Sequence, residues 1–137
     1  MPGTVVETSS QNGPIAVITL TLVGDASDGS VPDTALTTKI SGRLVSLLTN
    51  PGAVAPTTDY DLVLNNADGI DVLKGAGANR HTSDSEHQPI ELSANNRAGV
   101  PIAAEDTLTL VMTNQSVNSA NIVIKIYIDG VLRTDGQ

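Results

Sequence analysis

Residues Ile122 to Ile128 read IVIKIYI, and no other stretch limits the fold as sharply. Isoleucine recurs at 122, 124, 126 and 128, which makes one face of an extended chain unbroken apolar surface. Val123, Lys125 and Tyr127 occupy the other face. A helix would scatter the four isoleucines around its axis; a period of two gathers them. The segment therefore predicts a strand, and a strand with one fully apolar face needs a second layer packed against it.

Other stretches follow the same rule. Ile15 to Val23, IAVITLTLV, is rich in branched residues and is bounded by Pro14 and Gly24. Ala16, Ile18, Leu20 and Leu22 share one of its faces; Ile15, Val17 and Val23 on the other suggest burial there too, or a subunit contact. Thr107 to Thr113 alternates with Leu108, Leu110 and Met112 inward, and it is expected to form an antiparallel hairpin with Ile122 to Ile128 across a long loop. Asp129-Gly130 is expected to turn the chain into a last short strand at Val131-Leu132.

Thr34 to Asn50 fits two patterns. Leu36, Ile40, Leu44, Leu47 and Leu48 suit helical spacing with Asp33 as a cap, but Gly42 and the many Thr and Val residues disfavour a helix. As a strand, it places Ile40, Leu44 and Leu48 on one face, and strand is the preferred reading. Asn50-Pro51-Gly52 ends it. Ile90 to Leu92 and Val100 to Ile102 are expected as short pairing segments, with a polar loop from Ser93 to Gly99 between them.

Asp59 to Arg80 concentrates the backbone-special residues. Tyr60, Leu62 and Leu64 point one way along a strand, and Asp68-Gly69 breaks it. Ile70 to Leu73 predicts a short helical turn with Asp68 or Asp71 near its start, stopped by Gly75 and Gly77. Met1 to Pro14 reads as an N-terminal arm or an edge strand, divided from a domain spanning 15–137. Roughly seven or eight strands result, and the expected fold is an all-β, single-domain antiparallel β-sandwich, jelly-roll-like, with one short helical turn.

Composition narrows the function. A chain of 137 residues suits one domain and buries roughly 68% of its unfolded surface, so it needs no metal or disulfide staple. It has no cysteine, which removes thiolate chemistry and disulfides. Tyr60 and Tyr127 are its only aromatic residues, whereas sugar-binding and single-strand nucleic-acid modules stack on exposed rings. A net charge of −8 opposes nucleic acid and anionic membranes as partners. Met1 to Gln11 lacks the basic start and apolar run of a leader, and no apolar stretch is long enough to span a bilayer.

Three clusters hold groups capable of chemistry. Asp25, Asp28 and Asp33 in the loop Gly24 to Asp33 suit calcium or, more simply, a solvated turn. Asn66 to Asp71 fails as an EF-hand: with Gly69 at the sixth position, Leu64 stands first and Gly75 twelfth, where acids are required. His81, Asp84, Glu86 and His87, with Ser83 or Ser85, hold the titratable groups of a possible metal or Ser-His-Asp set, but their spacing matches no zinc pattern. No catalytic motif, phosphate loop or dinucleotide fingerprint occurs, so no catalytic, cofactor or metal residue is assigned.

One further feature is a succession of short segments. Leu44-Val45-Ser46, Thr49-Asn50-Pro51-Gly52, Ala55-Pro56-Thr57, Asp59-Tyr60-Asp61, Asp68 to Leu73, Gly75-Ala76 and Asn79-Arg80 follow in order. Thr82-Ser83, Ser85-Glu86, Thr107 to Leu110 and Ser116 to Ala120 continue it. Over about Leu44 to Ile128 the chain resembles a group of small virion proteins of tailed bacteriophages. The resemblance implies a non-catalytic capsid decoration (cement) protein: a homotrimer on the outer shell, bound to the major capsid protein, made in the bacterial cytoplasm. On that reading Pro2, Gly3, Thr4, Val5, Val6 and Glu7 are the expected capsid-facing residues, and the loop Gly24 to Asp33 faces outward. A tail or head-tail connector protein and a host-surface binding module are the alternatives.

Overall fold

The structure, a computed structural model, describes residues 2–90, 102–104 and 107–133. In chain order its strands are β1 (Thr4–Asn12), β2 (Ile15–Val23), β3 (Thr34–Ala35), β4 (Lys39–Pro51), β5 (Asp61–Asn65), β6 (Glu86–Pro89), β7 (Ile102–Ala104), β8 (Thr109–Thr113) and β9 (Asn121–Arg133). They form two antiparallel sheets, as the sequence predicts. The larger runs β1-β2-β9-β4-β6, with β7 also on β4; the smaller runs β3-β8-β5. This strand order does not establish a jelly roll.

The isoleucine strand is the centre of the larger sheet. Ile122, Ile124, Ile126 and Ile128 are all buried, opposite Leu22, Leu20, Ile18 and Ala16 of β2. Leu62 and Leu64 of β5 and Leu108, Leu110 and Met112 along β8 complete the core with them. β8 and β9 do not form the expected hairpin; they belong to different sheets. Both carry one apolar face, and those faces meet across the core instead of lying side by side. Residues 114–120 make the crossing.

Two further expectations change. Asp129-Gly130 does not turn the chain, because β9 runs straight through to Arg133. Gly130 stands opposite Gly42, and a Cβ on Gly130 would lie 2.3 Å from the Ser41 carbonyl oxygen. Glycine here permits close approach of two strands, a role that reads like a turn signal. The predicted helical turn after Asp68 is absent. Residues 71–79 close as separate tight turns, with Lys74 N–H on Asp71 O (3.2 Å), Ala76 N–H on Leu73 O (3.0 Å) and Ala78 N–H on Gly75 O (3.1 Å). Left-handed backbone at Lys74, Gly75 and Asn79 interrupts any helical repeat.

The strand expected over Thr34 to Asn50 is divided: Thr34–Ala35 is β3 of the smaller sheet and Lys39–Pro51 is β4 of the larger one, and the faces of β4 also differ from the expected ones. The register against β9 slips between Leu44 and Ser46, leaving Val45 as an extra, exposed residue. Before this bulge Ile40 and Leu44 face inward; after it Leu47 and Thr49 do, and Leu48 turns outward. Ile90 is buried just past β6, and β7 includes Ile102; Glu91 to Val100, including the predicted polar loop, lie outside the described residues.

Arg80, which ends the segment Asp59 to Arg80, is 1% exposed. Its guanidinium donates to Thr49 Oγ1 from Nε (3.1 Å) and Nη2 (3.0 Å), and from Nη1 to Ala76 O (2.9 Å) and Gln88 Oε1 (2.7 Å). Tyr60 is fully buried, and its hydroxyl has no hydrogen-bond partner among the described residues. Burial pushes this phenol above its usual range, with nearby Thr49 and Arg80 drawing it partly back. The folded state therefore resists ionisation that the unfolded chain undergoes near pH 10, so this contribution to stability is full below about pH 10 and is lost above it. Tyr60→Phe is expected to keep neutral-pH stability within about 1 kcal/mol, since no hydrogen bond is lost, and to flatten the alkaline fall. Urea titrations between about pH 7 and 11 check this; an equally steep fall in the variant would reject it.

Candidate interaction surface

The first residues are neither frayed nor projecting. They form the edge strand that was one of the two sequence readings: β1 pairs with β2 residue for residue from Thr4↔Val23 to Asn12↔Ile15. Pleating then divides Pro2 to Glu7 into two groups. Val5 turns inward and packs on the core. Glu7 also turns inward, where Oε1 accepts from Thr37 N–H (2.8 Å) and Thr37 Oγ1 (3.2 Å), and Oε2 accepts from Thr38 N–H (3.0 Å). Its carboxylate thus ties the edge strand to the start of β4. Gly3 is wedged against the loop after β2, since a Cβ there would sit 2.4 Å from the Ser30 carbonyl oxygen. Pro2, Thr4 and Val6 remain on the outward side, Val6 at 58% exposure. Pro2 and Thr4, with Val23, Gly24, Ala26 and Ser119, line a shallow depression of about 170 Å³.

The outward face of the larger sheet extends this strip. Val6, Thr21, Val123 and Asn50 form one row across β1, β2, β9 and β4. Thr8, Thr19, Lys125, Leu48 and His87 form the next row, and Ser10, Val17, Tyr127, Ser46 and Pro89 the one after. Short polar and β-branched side chains dominate the face. Such a surface is preformed, because the central strands β2, β9 and β4 are paired on both sides.

The titratable cluster from His81 to His87 is brought together in part: Ser83, Asp84 and Glu86 gather on His81, and His87 does not join them. His81 Nδ1 accepts from Ser83 N–H (3.0 Å) and Asp84 N–H (2.8 Å), closing its own turn, with Asp84 Oδ2 3.6 Å from Nε2. Glu86 Oε1 accepts from His81 N–H (2.8 Å) and lies 3.5 Å from Arg80 Nε. His87 turns to the outward face, where Nε2 meets Ser46 Oγ at 2.8 Å and its ring lies 5.0 Å from that of Tyr127. Serines therefore lie beside both histidines: Ser83, whose Oγ is 3.5 Å from His81 Nδ1 in the turn that also carries Asp84, and Ser46, beside His87; Ser85 Oγ instead donates to Asn50 Oδ1 (2.7 Å). Ser46 sits next to the Val45 bulge on a strand paired along both edges.

The acidic loop satisfies itself in a similar way. Asp25 Oδ1 accepts from Ser27 N–H (2.6 Å) and Asp28 N–H (3.3 Å). Asp28 Oδ1 accepts from Ser30 N–H (2.9 Å) and Ser30 Oγ (2.7 Å), which holds its carboxyl below the usual range. Asp71 likewise caps local turns, accepting from Leu64, Leu73 and Gly75 N–H. Among the described residues no three acidic or histidine side chains are placed to share a metal ion. The buried Arg80 cluster had no signal in the sequence beyond a cation after a glycine loop. Comparison with known proteins finds no matching family model, no matching curated protein and no matching solved structure.

Proposed function

We propose that this protein is a non-catalytic component of a tailed-phage virion, a decoration protein that binds the outer surface of the capsid. The resemblance over Leu44 to Ile128 motivates the reading. The observation that carries it furthest is the outward strip of Pro2, Thr4 and Val6 with Val23, apolar in part and held on an unbroken nine-pair ladder. Protein contacts favour a surface of this kind, because no ordering entropy is lost on docking. Repetition over the shell would multiply a weak single contact into firm attachment. Of the six residues expected at the capsid, Thr4, Val6 and Pro2 are the ones proposed to touch it. Val5 and Glu7 support the strand from inside.

Deleting Met1 to Ser10 would strip the edge strand from β2, so point variants are the sharper test. Val6→Asp is expected to reduce co-sedimentation with decoration-free capsids about tenfold while leaving stability within about 0.5 kcal/mol. Glu7→Ala is expected to do the reverse, costing about 2 kcal/mol through three lost hydrogen bonds and sparing the binding of folded protein. Undiminished binding by Val6→Asp rejects the strip as the capsid contact. No binding by the wild type rejects the decoration reading.

A further inference from the structure

Charge is divided unevenly over this surface. The chain carries 15 acidic against 7 basic side chains. Yet Lys39, Arg43, Lys125 and Arg133 all take outward positions on β4 and β9. The ladder sets Lys39 opposite Arg133 and Arg43 opposite Asp129, while Lys125 lies between Thr19 and Leu48. Among the described residues Asp129 is the one carboxylate at an outward position of the larger sheet. Lys125, Asp129 and Arg133 follow at four-residue intervals, about 13 Å apart. Half-buried Leu48, Val123 and Tyr127 surround Lys125 and supply apolar contact between the charges.

Acids gather at the opposite end of the strands. Ser119 N–H on Asp25 O (3.2 Å) and Gly24 N–H on Ala120 O (2.8 Å) place the loop after β2 where β9 begins. Asn114 Nδ2 on Asp59 O (3.0 Å) brings Asp59 and its neighbour Asp61 to the same end. β9 leads from there to Arg133, so the larger sheet's face is cationic away from this acidic end, while Asp68 and Asp71 at the far end belong to the turn after β5 of the smaller sheet. Asp28 is exposed, and its bonds to Ser30 keep it ionised.

Two copies meeting face to face through β4 and β9 would oppose cation to cation. An acidic end meeting that face is attractive, and in a chain of net charge −8 this is the pairing that relieves overall repulsion. We propose that the outward face of β4 and β9 binds the end of a second copy that carries Asp25 and Asp28, head to tail. Such a contact is heterologous: it closes into a ring where its rotation permits and otherwise continues as a chain of copies. It rests on charge and not on Pro2, Thr4 and Val6, although the acidic loop adjoins that strip at Gly24 and Ala26.

Light scattering at about 20 mM and about 500 mM salt tests the contact. The wild type is expected well above 14.1 kDa at low salt and near 14.1 kDa at high salt. Lys125→Glu with Arg43→Glu, and Asp28→Lys, should each associate at least about tenfold more weakly. An equimolar mixture of these two variants should associate to at least twice 14.1 kDa at low salt, because the acidic end of one meets the cationic face of the other. Far-UV spectra and urea midpoints establish folding, and Lys125→Glu or Asp28→Asn replaces a variant that is not folded. A wild type that is monomeric at low salt, a mass indifferent to Lys125→Glu, or a mixture that stays apart overturns the proposal. Loss of capsid binding by Lys125→Glu beside a monomeric wild type would assign the face to the capsid and overturn it equally.

Discussion

Replacing Arg80 with alanine is expected to lower the unfolding free energy by about 3–4 kcal/mol, with a proportionate fall in the urea midpoint. Among the described residues Arg80 has the largest fully buried side chain, and its guanidinium supplies donors to Thr49 Oγ1, Ala76 O and Gln88 Oε1. Without it, the Ala76 carbonyl and the Thr49 hydroxyl lose their donors in a water-poor site, and a void opens near Tyr60. Glu86, at 38% exposure, stays solvated, so the loss comes mainly from orphaned neutral acceptors and packing. Arg80→Lys should recover less than half of the loss, because a point ammonium cannot span three acceptors fixed around a planar fork. An alanine variant within about 1 kcal/mol of the wild type would refute this account.

The second large effect is expected at Gly29. Its φ is +79°, and an added Cβ would lie 2.4 Å from the Ser116 carbonyl carbon and 2.7 Å from Val117 N. Both are backbone atoms and cannot swing aside as the end of a side chain can. Gln115 Nε2 also donates to Gly29 O (2.6 Å), so the loops from 24 to 30 and 115 to 117 are locked together. Gly29→Ala should cost about 2–4 kcal/mol, combining left-handed strain with the clash. Gly69→Ala is the matched control: φ is +80° but no atom lies within 4 Å of the added carbon, so only strain of about 1 kcal/mol is expected. Thermal unfolding of both variants measures the difference; equal losses would mean that the close approach carries no energy. Gly29→Ala should also displace the loop that carries Asp25 and Asp28, and so weaken association between copies.

Several features were legible from short-range pattern. Alternation in IAVITLTLV and IVIKIYI named the buried faces of β2 and β9 correctly, because both strands are regular and one layer faces a dry core. The same logic failed where the ladder itself is irregular. Nothing local marks Val45 as the bulged residue, so the inward positions after it were assigned one residue out of step. Glu7 and Arg80 show the same limit: each is a charged residue in a polar-looking stretch, and each is defined by partners some thirty positions away in the chain.

The sequence by itself determined an all-β chain of two layers, an aliphatic core with almost no aromatic residues, and the approximate position of most strands, because a period of two and the punctuation by Gly, Pro and Asn are local properties of the chain. The tertiary structure alone decided that β8 and β9 face each other across the core, that Asp129-Gly130 continues a strand, and that His87 meets Ser46. It alone gathered the cations of β4 and β9 on one face. These depend on which edges pair and in what register, and the energy that selects them comes from burial and hydrogen bonds between residues far apart in the chain.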